Sequence, residues 1–213
     1  MSAAEPEESD LLRRVAAGDR AAADELFARH RDRLRWMIRL RLNRRLQGRV
    51  DPSDVLQDAC LEGCRRLGEY LRAPRLPFFL WLRHLTALKL LALHRQHLRT
   101  GIRDANREAP TADWPAVNSS VLAAEVVGKA TSPSAATMRA EAQAAVQSAL
   151  EAMDATDREV LVLRHFESLT NDEVAQTLGL TKTAASNRYV RALKRLRKIL
   201  EAEPGLLDGA EQL

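Results

Sequence analysis

Apolar residues along this chain recur every three or four positions, the spacing of a helix face, rather than every second position. Between Arg20 and about Leu46, for example, Leu26, Leu34 and Ile38 repeat at helical spacing, and arginines fill the positions around them. Runs of β-branched residues are short, and aromatic residues make up only 4% of the chain. We therefore predict an all-α protein.

Capping residues and prolines mark where the helices begin and end. Ser9 is placed to cap a first helix that ends at Gly18. Asp51-Pro52 and Ser132-Pro133 each combine a capping residue with a proline at the first helical position. These signals predict helices at residues 11–17, 20 to about 46, 52 to about 71, 78 to about 99, and from 133 onward.

A long segment, residues 100–131, lacks this periodicity and contains prolines, asparagine and serines, a composition typical of linkers. We therefore predict two helical domains, 9–99 and 132–203, joined by a flexible linker at 100–131. Trp114 within the linker suggests a docking point, and the tail after Pro204 is acidic.

The last quarter of the chain contains two Thr-x-x-Glu sequences that are typical of capping boxes, Thr156–Glu159 and Thr170–Glu173. The second predicts a short helix that stops at Gly179, and Thr181 can cap a further helix that runs to about 200. A short helix, a glycine turn and a second helix form a helix-turn-helix.

Charge is distributed in blocks, although the net charge is only +4. Residues 71–103 contain seven bases and no acid, and residues 181–200 again contain seven bases and no acid. Residues 51–70 are acidic, with five acids and two arginines. Two purely basic segments indicate two separate contact zones for a polyanion such as DNA.

Several classes of protein are disfavoured by the sequence. The acidic N-terminus is unlike a signal peptide, and the longest apolar run, 76–82, is too short to cross a bilayer. We expect a soluble, cytoplasmic protein without a membrane partner. Cys60, Cys64, His94 and His97 match no zinc-site spacing, and no nucleophile–base pair or phosphate loop is recognisable. We expect no metal, no cofactor and no catalysis.

From about Asp10 to Ala202, the chain resembles a bacterial sigma factor of the extracytoplasmic-function group. The resemblance rests on several segments in the family's order. Residues 51–58 are similar to region 2.2, 78–82 to the start of region 2.3, and 94–99 to region 2.4. Residues 157–167 are similar to region 4.1, and 173–197 to region 4.2.

This resemblance implies the partners and the role of each region. It implies core RNA polymerase, contacted at the β′ clamp helices by region 2.2 and at the β flap, and promoter DNA, read at the −10 element by region 2.4 and at the −35 element by region 4.2. An anti-sigma factor is a further possible partner. The family often has Asn and Asp where this chain has Leu88 and Ala92, which indicates a divergent subgroup with its own −10 preference.

The second helix of the predicted helix-turn-helix is the recognition helix, the one that reads base edges. Counting around this helix from its apolar stripe shows which residues lie on the outward face. Asn187 suits adenine, Arg191 suits guanine, and Val190 suits a thymine methyl group. Other basic residues are better suited to phosphates, which position a protein without specifying sequence. The predicted −35 site comprises base readers Thr183, Ser186, Asn187, Val190 and Arg191, and phosphate contacts Lys182, Arg188 and Lys194.

In the first domain, the basic end of the fourth predicted helix is the candidate −10 site. By resemblance, the loop 70–77 beside it is where a flipped base would be caught. Phe78 and Trp81 are expected in the core, whereas Tyr70 fits either the core or the site that catches a flipped base. The predicted −10 site comprises backbone contacts Arg83, Lys89, Arg95 and Arg99, and base-edge contacts His94, Gln96 and His97.

Acidic residues recur every four positions on the helix that starts at Asp51. Such a stripe is usually a solvated face, but the resemblance favours docking on polymerase. The predicted docking residues are Asp51, Asp54, Gln57, Asp58 and Glu62. The residues alone leave three rival functions open: a helix-turn-helix regulator that binds DNA without polymerase, a helical adaptor for acidic proteins, and a zinc-dependent enzyme.

Overall fold

The computed structural model describes residues 4–43, 46, 48–98, 116–127 and 133–201, and these residues form helices joined by turns, with no strand among them. The all-α prediction is therefore confirmed. The helices are α1 (Ala4–Ala16), α2 (Arg20–Arg41), α3 (Pro52–Arg72), α4 (Phe78–Leu98), α5 (Ser119–Val127), α6 (Pro133–Glu151), α7 (Ala155–His165), α8 (Asn171–Leu178) and α9 (Lys182–Glu201).

The chain divides into two compact units. One comprises Met1–Arg39 with Arg45–Ala105, and the other comprises Leu40–Arg44 with Asn106–Leu213. This division differs from the predicted one, because the short segment Leu40–Arg44 and a large part of the predicted linker fall in the second unit.

An aromatic cluster in the first unit joins α2, α3 and α4. The Phe27 and Phe78 rings meet edge to face with centroids 5.6 Å apart, and Tyr70 stacks on Trp81 at 4.6 Å. The Tyr70 hydroxyl donates a hydrogen bond of 3.0 Å to the Leu76 carbonyl oxygen. This contact ties the loop between α3 and α4 to the core.

Local chemistry at the start of α3 matches the prediction. The Asp51 side chain accepts a hydrogen bond from the Ser53 amide at 2.7 Å, and Pro52 occupies the first helical position. This bond from the Ser53 amide lowers the pKa of Asp51 below its ordinary value. Asp51 is therefore committed to capping the helix that carries the candidate docking face.

A buried ion cluster lies in the second unit. The Arg41 side chain is fully buried, and its guanidinium donates hydrogen bonds to Glu167 Oε1 at 3.1 Å and to Glu159 Oε2 at 3.0 Å. Burial alone would lower the pKa of Arg41. The negative charges of Glu159 and Glu167 raise this pKa by more than burial lowers it, so it lies above its ordinary value. Removing one partner of such a cluster leaves an uncompensated buried charge, which typically costs about 3–5 kcal/mol.

The helix-turn-helix in the second unit has the predicted caps. The Thr170 hydroxyl oxygen accepts from the Glu173 amide at 3.2 Å, and the Glu173 carboxylate accepts from the Thr170 amide at 2.7 Å. Gly179 ends α8 in the left-handed conformation, with φ of 64°. Thr181 Oγ1 then accepts from the Ala184 amide at 3.1 Å at the start of α9.

Three predicted element boundaries are wrong. The helix α1 already begins at Ala4, so Ser9 lies inside it, and α2 ends at Arg41 rather than near residue 46. The cap of α7 is Asp154, whose carboxylate accepts from the amides of Thr156 and Asp157, rather than Thr156. A carboxylate interacts more favourably than a hydroxyl with a helix N-terminus.

The predicted linker contains a helix, α5, which the loss of apolar periodicity in this segment did not predict. Asn118 Oδ1 accepts a hydrogen bond from the Ser120 amide at 3.1 Å, which caps the helix. Leu122 and Ala123 are buried, each 1% exposed. The asparagine and serine that suggested a linker are also helix-start residues. Trp114 and most of the remaining linker lie outside the described residues.

None of the described helices combines the length and the apolar character that crossing a membrane requires.

Two glycines of α3 provide a matched test of the packing in the first unit. A Cβ atom at Gly63 would lie 2.8 Å from Phe27 Cε1 and 3.1 Å from Leu82 Cδ1, whereas one at Gly68 meets nothing within 4 Å. We predict that Gly63→Ala lowers the free energy of unfolding by about 1–3 kcal/mol through overpacking. Gly68→Ala should raise it by about 0.5–1 kcal/mol, because alanine is the better helix former.

Urea denaturation of the two variants, followed by circular dichroism, measures both changes. Equal stabilisation by the two substitutions would contradict the close approach of α3 to Phe27.

Candidate nucleic-acid interface

The outward face of α9 is the strongest candidate for reading base edges. Ala185 and Ala192 are 1% and 0% exposed and fix the inward face. The opposite face presents side chains with amide, hydroxyl, guanidinium and methyl groups to solvent: Thr183, Ser186, Asn187, Val190 and Arg191. These are the residue types that hydrogen-bond bases or contact the thymine methyl group.

The three predicted phosphate contacts differ in their availability. Lys194 is exposed and has no ion pair among the described residues. Lys182 is also exposed, but its Nζ atom pairs with Asp172. Arg188 is only 31% exposed in its side chain and pairs with Asp154 and Asp157. Only Lys194 of the three is ready to meet a phosphate without exchanging a partner.

A polar cleft of about 410 Å³ lies beside this face, between the start of α7 and one flank of α9. Burial opposes ionisation of Asp154, but hydrogen bonds from the amides of Asp157 and Thr156, together with the charge of Arg188, lower its pKa below the ordinary value. The cleft therefore holds carboxylates beside arginines, and it is lined by Asp154, Asp157, Arg188, Arg191 and Arg195.

At the end of α4, several predicted −10 residues are accessible. Arg95, Gln96 and His97 are exposed, and His94 is half-buried, so burial lowers the pKa of His94. Arg99 lies outside the described residues.

Two other residues of α4 depart from the prediction. Arg83 is only 1% exposed, so the prediction that it contacts the DNA backbone is wrong. Its position is three and seven residues before the buried Thr86 and Leu90, which places it on an inner face of α4. Lys89 is partly exposed, with Nζ 3.7 Å from Glu62 Oε2.

Aromatic residues near the loop 73–77 belong to the core. Phe78 is 1% exposed and Tyr70 is 7% exposed. Burial raises the pKa of Tyr70 to about 12. Of the two roles considered for Tyr70, the structure favours packing over catching a base, because the ring is already stacked on Trp81.

The predicted docking stripe on α3 is divided. Asp54, Gln57 and Asp58 are exposed, and neither carboxylate has an ion pair among the described residues. Glu62 is instead 18% exposed in its side chain and accepts a hydrogen bond of 2.6 Å from Arg66. This bond from Arg66 lowers the pKa of Glu62 below its ordinary value.

The division follows from helix geometry, because each step of four residues drifts by about 40° around the axis. Two such steps bring Glu62 from the outer face to the side of α3 nearest Lys89. Leu61 lies on the outer face instead, 50% exposed, seven residues after Asp54 and three after Asp58. Leu61 was not among the predicted docking residues, although its position off the apolar stripe of α3 indicates an exposed side chain.

Thiol groups on α3 form no recognisable metal site. Cys60 is half-buried, Cys64 is exposed, and both are free. In the described part of the chain, no three His, Cys, Asp or Glu side chains are grouped to hold a metal ion.

Comparison with known proteins matches these features to one family. Residues 143–196, from α6 into α9, match the family described as Sigma-70, region 4. The sigma factor CnrH of Cupriavidus metallidurans is 28% identical over 203 residues, covering 93% of this chain and 97% of CnrH. The sigma factor SigD of Mycobacterium tuberculosis is 27% identical, covering 88% of this chain and 81% of SigD.

A solved structure agrees with these relatives. The structure of CnrH in complex with the cytosolic domain of CnrY superposes with a TM-score of 0.56 and 25% identity, covering 92% of this chain and 99% of CnrH. The chain is therefore similar to extracytoplasmic-function sigma factors over almost its whole length. This likeness favours a sigma factor over a stand-alone regulator.

The two positions that depart from the sigma-factor pattern lie on the surface. Leu88 is 38% exposed, and Ala92 is also exposed. Both lie on α4 before the basic end that carries the candidate −10 residues. Their exposure is compatible with the expectation of an altered −10 preference.

Arg191 provides a test of base reading by α9. We predict that Arg191→Ala weakens binding by about 1–3 kcal/mol at one base pair of the −35 element and relaxes the preference there. The measurement compares dissociation constants for duplexes that differ in single base pairs.

Lys194→Ala is the matched control, and it should weaken binding about equally for all of the duplexes. An equal loss on every duplex for Arg191→Ala would make Arg191 a phosphate contact.

Proposed function

We propose that this chain is a sigma factor of the extracytoplasmic-function group, which binds core RNA polymerase through the outer face of α3 and directs it to promoters read by α9 and by the end of α4. The observation that carries this proposal is the helix-turn-helix, whose second helix is anchored by buried alanines and exposes base-reading side chains over several turns. The protein supplies sequence selection, and RNA synthesis belongs to the polymerase.

The −35 element is assigned to α9. A recognition helix contacts base edges with its N-terminal turns. Thr183, Asn187, Val190 and Arg191 lie on the exposed face there, and Ser186 lies at its border. Lys194 contacts the phosphate backbone. Lys182 and Arg188 also contact phosphates once their ion pairs with carboxylates are broken.

The −10 element is assigned to the end of α4. Arg95, Gln96 and His97 are exposed on its last turns, and Lys89 lies two turns earlier. Cationic groups track the backbone, while Gln96 and His97 can hydrogen-bond base edges. His94 contributes from a half-buried position.

Polymerase docking is assigned to a surface on α3 that combines charge with an apolar centre. Asp54, Gln57 and Asp58 precede Leu61 on the outer face, within two turns of it. An exposed leucine beside two acids fits a basic partner surface with an apolar pocket. Glu62 supports this surface through Arg66 and Lys89 rather than binding the partner itself.

A regulatory protein is a further partner that the comparisons support. CnrH has been solved in complex with the cytosolic domain of CnrY. Because this chain matches CnrH over almost its whole length, we infer that a protein partner of comparable kind, an anti-sigma factor, controls its access to polymerase.

We also propose that the protein acts in the cytoplasm, because polymerase and promoters are found there.

The docking surface is tested by charge reversal within α3. We predict that Asp58→Lys weakens binding to purified core polymerase at least tenfold, which corresponds to about 1.4 kcal/mol or more. The measurement is a titration of labelled sigma factor with core polymerase.

Glu69→Lys is the matched control, because it makes the same charge change at an exposed position of α3 about 16 Å further along the helix. It should retain wild-type affinity. Equal effects of the two substitutions would remove Asp58 from the docking surface.

A further inference from the structure

Two carboxylates at the start of α7 hold arginines of the recognition helix. Arg188 Nη1 lies 2.9 Å from Asp157 Oδ1 and 3.3 Å from Asp154 Oδ1. Arg195 Nη1 lies 3.6 Å from Asp157 Oδ2. Asp157 is only 14% exposed in its side chain, so these pairs are better shielded from solvent than an ordinary surface ion pair.

The two paired arginines share one flank of α9. Arg188 and Arg195 are seven residues apart, about two turns, and so lie on the same side of the helix. This flank lies between the buried face and the base-reading face, which carries Arg191. When α9 enters the major groove, the flank is where the sugar–phosphate backbone passes.

The carboxylate oxygens therefore occupy the guanidinium donors that a phosphate would use. An arginine bound to a carboxylate releases no counterion from DNA until that pair is broken, so it contributes little to binding that depends on phosphates alone. Arg191 has no ion pair among the described residues and stays available to a base edge.

We propose that Asp154 and Asp157 act as an intramolecular substitute for DNA phosphates, which restrains Arg188 and Arg195 and so lowers sequence-independent affinity. This inference rests on the proposed function of α9 and deepens it. It makes the two aspartates determinants of specificity, although neither touches DNA. At a correct −35 element, base contacts hold α9 in place long enough for phosphates to replace the carboxylates.

The test uses the full chain and the substitution Asp157→Asn, which removes the charge and keeps the size of the side chain. Binding to a random-sequence duplex is measured by fluorescence anisotropy at several salt concentrations. We expect binding several-fold tighter than wild type. The slope of log K against log salt should also be steeper by about 1–2, because each additional phosphate contact adds about 0.9.

Glu151→Gln is the matched control. It removes the same charge from an exposed residue near the start of α7, whose carboxylate accepts from Gln147 rather than from an arginine of α9. It should leave the slope unchanged. Thermal denaturation of both variants verifies that the second unit remains folded.

Run-off transcription with core polymerase separates failure of this inference from failure of the proposed function. If wild type directs transcription but Asp157→Asn and Glu151→Gln have the same salt slope, the inference is wrong and the function stands. Weaker DNA binding by Asp157→Asn would also overturn it, because the aspartate would then orient Arg188 for DNA. If wild type directs no transcription, the proposed function itself fails.

Discussion

The buried guanidinium of Arg41 is the charge on which the arrangement of the second unit depends. Both of its partners, Glu159 and Glu167, belong to α7 or to the turn that follows it, so the ion cluster fixes that helix from inside. The start of α7 carries Asp157 and is capped by Asp154, and both carboxylates hold Arg188 of α9. A single helix therefore contacts both the buried charge of Arg41 and the proposed recognition helix.

This arrangement explains why a strongly basic helix can be selective. If every cation on α9 were free, phosphate binding would dominate and any DNA would suffice. The structure instead leaves Arg191 and Lys194 available and restrains Arg188 and Lys182 with carboxylates. The acids that pair with α9 come from α8, from α7 and from the cap of α7, so the proposed selectivity depends on several elements of the second unit.

Features of the fold that depend on local chemistry, such as the helix caps, could be predicted from the sequence. The Thr170–Glu173 box, Gly179 and Asp51-Pro52 each act over a few residues, and the structure has the predicted caps. Predictions that depended on tertiary contacts were less successful. Arg83 is buried in the first unit, and Glu62 of α3 pairs with Lys89 of α4, a contact that depends on how the two helices pack. The pairing of Glu159 with Arg41 joins residues 118 positions apart, which no local pattern reveals.

We propose that this chain gives RNA polymerase its choice of promoter. Run-off transcription with purified core polymerase and fragmented genomic DNA, with and without the protein, is the decisive experiment. We expect new start sites that appear only when the protein is present and that share two upstream elements at fixed spacing. DNA binding by the protein alone, without any new start site, would contradict it.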